Sequence, residues 1–121
     1  MNKAVTVTAA RAACAAVFVT ALVAGAAFAA PATQTFTGVI TDSECGSAGH
    51  ARMRMGPTDA ECTYACIQAH GAGYVLLVGT TVYNLSNQEL PEKFAGARVK
   101  VSGTLDAKTK TIKVDSILPA K

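Results

Sequence analysis

The chain has 121 residues, eleven basic and eight acidic side chains, and a formal net charge of +3. The length bounds it to a single small domain, and the near-balanced charge excludes the strong basic field of a nucleic-acid or anionic-membrane binder. A domain this small buries a modest core and is marginal without a staple or a metal.

The chain opens with Lys3 and Arg11, followed by an uncharged run from Ala12 to Ala30 that contains Ala27-Phe28-Ala29. A basic start, an apolar stretch and an Ala-x-Ala end are the pattern of a secretory signal peptide. Cleavage is expected to remove residues 1–29 and leave residues 30–121 as the mature domain, periplasmic or secreted. A transmembrane anchor of this length is the alternative, but the run is Ala-rich and has no basic stop after it. Losing Lys3 and Arg11 lowers the net charge to +1. Neither nucleic acid nor a membrane is then an expected partner, and a monomer is expected. Cys14 leaves with the leader. The three remaining cysteines meet an oxidising compartment.

Thr33–Thr41 is rich in Thr and Val, with Phe36, Gly38 and Ile40 on one face, and reads as a strand. The span 42–58 holds three Gly and one Pro and reads as a long loop. Thr58 and Glu61 form a capping box at the head of a helix that Gly71 ends after His70. "YVLLVG" and "TTVYNLS" are two short strands joined at Gly79-Thr80. "NQELPEKFAG" is a short connector, because Pro91 prevents a long helix. In "ARVKVSGTL", Val99, Val101 and Leu105 face one way and Arg98, Lys100 and Ser102 the other. In "TIKVDSIL", Ile112 and Val114 face inward.

This order predicts an all-β fold with small helices, a five-stranded OB-like barrel. Its extra helix is inserted between strands one and two, where such barrels carry a recognition loop. The stretches "FTGVITDSECG", "CTYACIQAHGAGYVLLVGTTVYNLSNQ" and "FAGARVKVSGTLDAKTKTIKVDSI" resemble a group of small exported bacterial proteins of unknown function. The resemblance covers nearly all of residues 30–121. It implies export and an OB-like barrel, and it implies no activity.

The chemistry-bearing side chains gather in one segment. Cys45, His50, Met53, Met55, Cys62, Cys66 and His70 all fall between Cys45 and His70. Cys62, Cys66 and His70 are spaced by four and share one helix face, with a drift of about 40° per step. Cβ atoms at that spacing lie roughly 5–6 Å apart, whereas a disulfide needs about 3.8 Å. The helical pair is therefore unsuited to bond to itself.

Three readings follow. In the first, Cys45 forms a disulfide with Cys62 or Cys66 and ties the loop to the helix of a non-enzymatic binding or structural module. Such a staple stabilises by roughly 3 kcal/mol. In the second, Cys45, His50, Cys62 and Cys66 hold a metal ion, with His70, Met53 and Met55 as further donors. Three thiolates and an imidazole suit zinc, and the thioethers tilt the site toward copper. In the third, a thiol does redox chemistry, with Cys62 near the helix start the better placed of the helical pair. The partner is accordingly a small ligand, a metal ion or a protein. Asp42 and Glu44 flank Cys45 and are expected to serve turn chemistry.

Overall fold

The computed structural model describes Gly25 and residues 29–51 and 53–121. The expected leader, with its Cys14, lies outside the described residues apart from Gly25 and Ala29.

Among the described residues five strands form one sheet: β1 (Gln34–Asp42), β2 (Tyr74–Val78), β3 (Thr81–Leu85), β4 (Arg98–Asp106) and β5 (Thr111–Pro119). One α-helix, α1 (Asp59–His70), lies between β1 and β2. Short 3-10 turns occupy Gly46–Ala48 and Leu90–Phe94. The sheet closes on itself in the order β1-β2-β3-β5-β4.

β1 is the strand that makes closure work. Its first half pairs with β4, from Gln34 opposite Gly103 to Val39 opposite Arg98. Its second half pairs with β2, from Val39 opposite Leu77 to Asp42 opposite Tyr74. Gly38 sits at the crossover, and a Cβ there would run into the Leu77 carbonyl. The absence of a side chain lets one strand serve two neighbours. The last seam is short and parallel, Asn84 opposite Thr111 and Leu85 opposite Ile112.

The interior is filled by Ile40, Leu76, Leu85, Val99, Val101, Ile112 and Ile117, with Tyr74 beside them. The inward faces expected for β1 and β4 are observed. β5 departs from simple alternation. Ser102 pairs with Ser116 but Gly103 pairs with Val114, so Asp115 is an extra residue on β5. A bulge of this kind reverses which side chains face in. Ile112 is buried before it and Ile117 after it, with Val114 half-buried.

α1 has the capping box expected of it. The Thr58 hydroxyl accepts from the Glu61 N–H at 3.2 Å, and the Glu61 carboxylate accepts from the Thr58 N–H at 3.1 Å. Gly71 ends the helix in the left-handed conformation, φ 66°. The helix rests on the segment after the second 3-10 turn. Gly96 has φ 72°, and a Cβ there would lie 2.6 Å from the Ala60 nitrogen. This segment also runs along β1, with Gly96 N–H donating to the Ile40 carbonyl at 2.8 Å and Ile40 N–H to the Ala97 carbonyl at 3.0 Å. The head of α1 is thereby held over the end of β1.

A candidate metal centre between strand β1 and helix α1

Past the main core lies a second buried cluster, made of Cys45, Cys62 and Cys66 with Ala72 packed against it. Three local structures bring it together. At the end of β1, Asp42 turns its carboxylate back on its own chain. Its Oδ1 accepts the N–H of Glu44 at 3.1 Å and of Cys45 at 2.8 Å. This Asx turn aims Cys45 inward. On α1, Cys62 and Cys66 lie on the face that packs on β1, and both are fully buried. At the far end of the helix, Ser43 and Gly73 exchange hydrogen bonds, one to backbone at 2.9 Å and one to the Ser43 hydroxyl at 3.1 Å. They close the loop's two stems.

The loop carries His50 into the same place. Its side chain is only 10 % exposed. The imidazole Nδ1 lies 3.1 Å from Asp59 Oδ1. Nε2 faces the Thr41 and Thr63 hydroxyls, each at 3.2 Å. A ring protonated on Nδ1, the nitrogen beside the Asp59 carboxylate, would leave Nε2 with its lone pair, the tautomer a metal-ligating imidazole needs. A carboxylate behind the ring is the usual second partner of such a ligand.

Two sets of donor atoms result. Cys45, His50 and Cys62 have theirs within 4.8 Å of one another, and so do Asp42, Cys45 and Cys66. Cys45 belongs to both. Cys45, Cys62 and Cys66 are free thiols. Cys62 is further wrapped by the loop. Its S–H donates to the Met53 carbonyl at 3.1 Å, and the Met55 N–H donates to its sulfur at 3.3 Å.

Electrostatics point the same way. Burial, then the Asp42 carboxylate, then the neighbouring Cys66 and Cys62 thiols push the Cys45 thiol up to about 12. Burial and Asp42 likewise push Cys66 up. Asp42 is itself fully buried. Among the described residues its Oδ2 is a buried side-chain oxygen without a hydrogen-bond partner. It lies 3.4 Å from His50 Nε2 but outside hydrogen-bond geometry. A buried, unpartnered carboxylate oxygen is costly. A cation bound among these donors would remove that cost. It would also displace the thiol protons, since metal ligation requires thiolate. The residues present therefore fit a thiophilic ion.

Of the other donors considered from the sequence, His70 lies apart, and the two methionines are exposed, with Met53 lining a cavity beside Cys45. His70 is exposed in the last turn of α1, where the helix dipole favours a cation. The Met53 and Met55 side chains are 43 % and 39 % exposed. Sequence reasoning left Asp42 as turn chemistry and passed over Thr41, Asp59 and Thr63. The Asx turn is real, but only one carboxylate oxygen serves it.

A family described as a protein of unknown function, DUF5818, matches residues 66–120. The match spans the last turn of α1 and β2 to β5; it includes Cys66 and His70 but not Cys45, His50 or Cys62. No curated protein and no solved structure gives a significant match.

Proposed function

We propose that the mature chain is an exported, OB-like barrel whose first connection binds one thiophilic d10 ion, Zn²⁺ or Cu⁺. Cys45, Cys62, Cys66 and His50 are its ligands, with Asp42 beside them. The protein is on this reading a binding module rather than an enzyme. The observation that carries it is the convergence of Cys45, His50 and Cys62 donor atoms within 4.8 Å. The ring order, the parallel β3–β5 seam and the short 3-10 turn between β3 and β4 support the OB-like assignment. In that architecture the connection between the first two strands is a common recognition site. Export rests on the leader pattern alone.

The pushed-up Cys45 and Cys66 thiols speak against nucleophilic redox chemistry at those two residues, since the thiolate is the reactive form. A disulfide staple from Cys45 to Cys66 is the second reading, favoured by the proximity of these two sulfurs. A largely covered imidazole set against the Asp59 carboxylate has no part in a staple, and the metal reading is therefore put first.

The test is equilibrium dialysis of reduced protein against Zn²⁺ and, anaerobically, Cu⁺. One ion per chain is expected, with binding weakened in Cys45→Ser, Cys62→Ser and His50→Ala. Protein that retains neither ion, with all its thiols titratable, would sink the proposal.

A further inference from the structure

The three thiols are not equally reachable. Cys62 and Cys66 are completely buried, whereas Cys45 is 4 % exposed. That small exposure opens onto a cavity of about 220 Å³ lined by Glu44, Cys45, Ala48, Gly49 and Met53. Cys45 is also the donor shared by the two ligand sets. It is therefore the sulfur that an ion from outside meets first and the one from which all other donors are within reach. At the mouth stand the exposed carboxylate Glu44 and the half-exposed thioether Met53. A carboxylate attracts any cation. A thioether is a soft neutral donor that selects monovalent d10 ions and gives little to Zn²⁺.

We propose that this cavity is the entry port of the site and that Met53 makes it selective for the speed with which Cu⁺ or Ag⁺ enters. The proposal rests on the metal-binding reading above and adds the class of ion and its route. Met53 sulfur takes the ion from an external donor, and Cys45 then takes it from Met53. In that step the bond from the ion to Met53 Sδ breaks and a bond to Cys45 Sγ forms. The Cys45 Sγ–H proton leaves to the departing donor or to water, so no electron changes hands. Cys62, Cys66 and His50 complete the shell from behind. Met53 also accepts the Cys62 S–H through its main-chain carbonyl, a contact that any side chain at position 53 keeps.

The experiment mixes the reduced protein anaerobically with the Cu⁺–bicinchoninate complex and follows chelator release in a stopped flow. A parallel series uses Zn²⁺ and a zinc dye. Met53→Leu should slow Cu⁺ entry by about tenfold, the effect of losing ~1.4 kcal/mol of capture. The final occupancy and the Zn²⁺ rate should stay unchanged. Met55→Leu, whose side chain is exposed but does not line the cavity, should load like the wild type. Cu⁺ entry at the wild-type rate in Met53→Leu would overturn the port while leaving the metal site standing. Equal slowing of Cu⁺ and Zn²⁺ would overturn the selectivity assigned to the thioether. Failure of the wild-type protein to load either ion would overturn the underlying metal reading, and the port with it.

Discussion

Asp42 Oδ2 and His50 Nε2 lie 3.4 Å apart without hydrogen-bonding. Two donors at 2.0–2.1 Å on the corners of a tetrahedral ion are roughly 3.3–3.4 Å apart. The spacing is short enough for Asp42 to stand against a cation held by His50, and its Oδ2 is buried with no hydrogen-bond partner.

Asp42→Asn separates the two duties of this side chain. The amide oxygen can keep the Asx turn to Glu44 and Cys45, while the negative charge is lost. Metal affinity should fall about 10–100-fold, the usual cost of removing a supporting carboxylate. The metal-free protein should melt no lower than the wild type, because a buried charge has gone. The Cys45 and Cys66 thiols should titrate at lower pH, since Asp42 is a cause of their elevation. Calorimetric binding and a thiolate absorbance titration check all of this. An unchanged affinity would remove Asp42 from the site.

The metal-free, reduced protein should lose stability in alkali. Cys45 ionises near its ordinary 9.0 when unfolded and near 12 when folded. Between these values the folded state holds the extra proton, so stability falls as pH rises. The contribution is complete below pH 9 and gone above about 12. Its slope is about 1.4 kcal/mol per pH unit for each such group. Cys66 and Tyr74, also pushed up by burial, act in the same direction. Urea unfolding at a series of pH values should show a decline that Cys45→Ala flattens. A stability that rises with pH would contradict the assignment.

Val99→Asp, Ile112→Asp and Ile117→Asp should each unfold the domain. Each places an unpaired charge among the buried residues of the ring. Lys100→Asp, on the exposed face of β4, should change stability by about 0.5 kcal/mol or less. Circular dichroism distinguishes them. Tolerance of Ile117→Asp would show that the β5 bulge does not turn that side chain inward.

Gly96→Ala should destabilise by about 1–3 kcal/mol, from a positive φ and from a Cβ driven against the Ala60 backbone. It should also weaken metal binding, because Asp59, which holds His50, is the first residue of the displaced helix. Thermal melts and dialysis measure the two effects. Full binding in a destabilised variant would show that the head of α1 does not position the imidazole.

What could be read ahead of the structure follows from its range along the chain. The Thr58–Glu61 cap, the Gly71 terminus and the inward face of β4 depend on neighbours a few residues away, and they were legible. The gathering of Cys45, His50, Cys62 and Cys66 near one another was legible from composition and spacing. Thr41, Thr63 and Asp59 were not, because each meets His50 only after the loop folds back between β1 and α1. His70 keeps the spacing of Cys62 and Cys66, yet one further step of helical drift and the end of the helix carry it into solvent. Ile117 escaped because a single extra residue, Asp115, reverses the alternation of β5.

The most direct test of the central claim is the X-ray absorption spectrum of the loaded protein, beside a thiol count on the unloaded one. The account predicts one ion per chain with a sulfur-dominated shell at about 2.3 Å and a nitrogen or oxygen donor at about 2.0–2.1 Å. His50→Ala should remove the nitrogen contribution. A shell of nitrogen and oxygen alone would contradict it. So would a Cys45–Cys66 disulfide with one free thiol in protein that cannot be loaded after reduction.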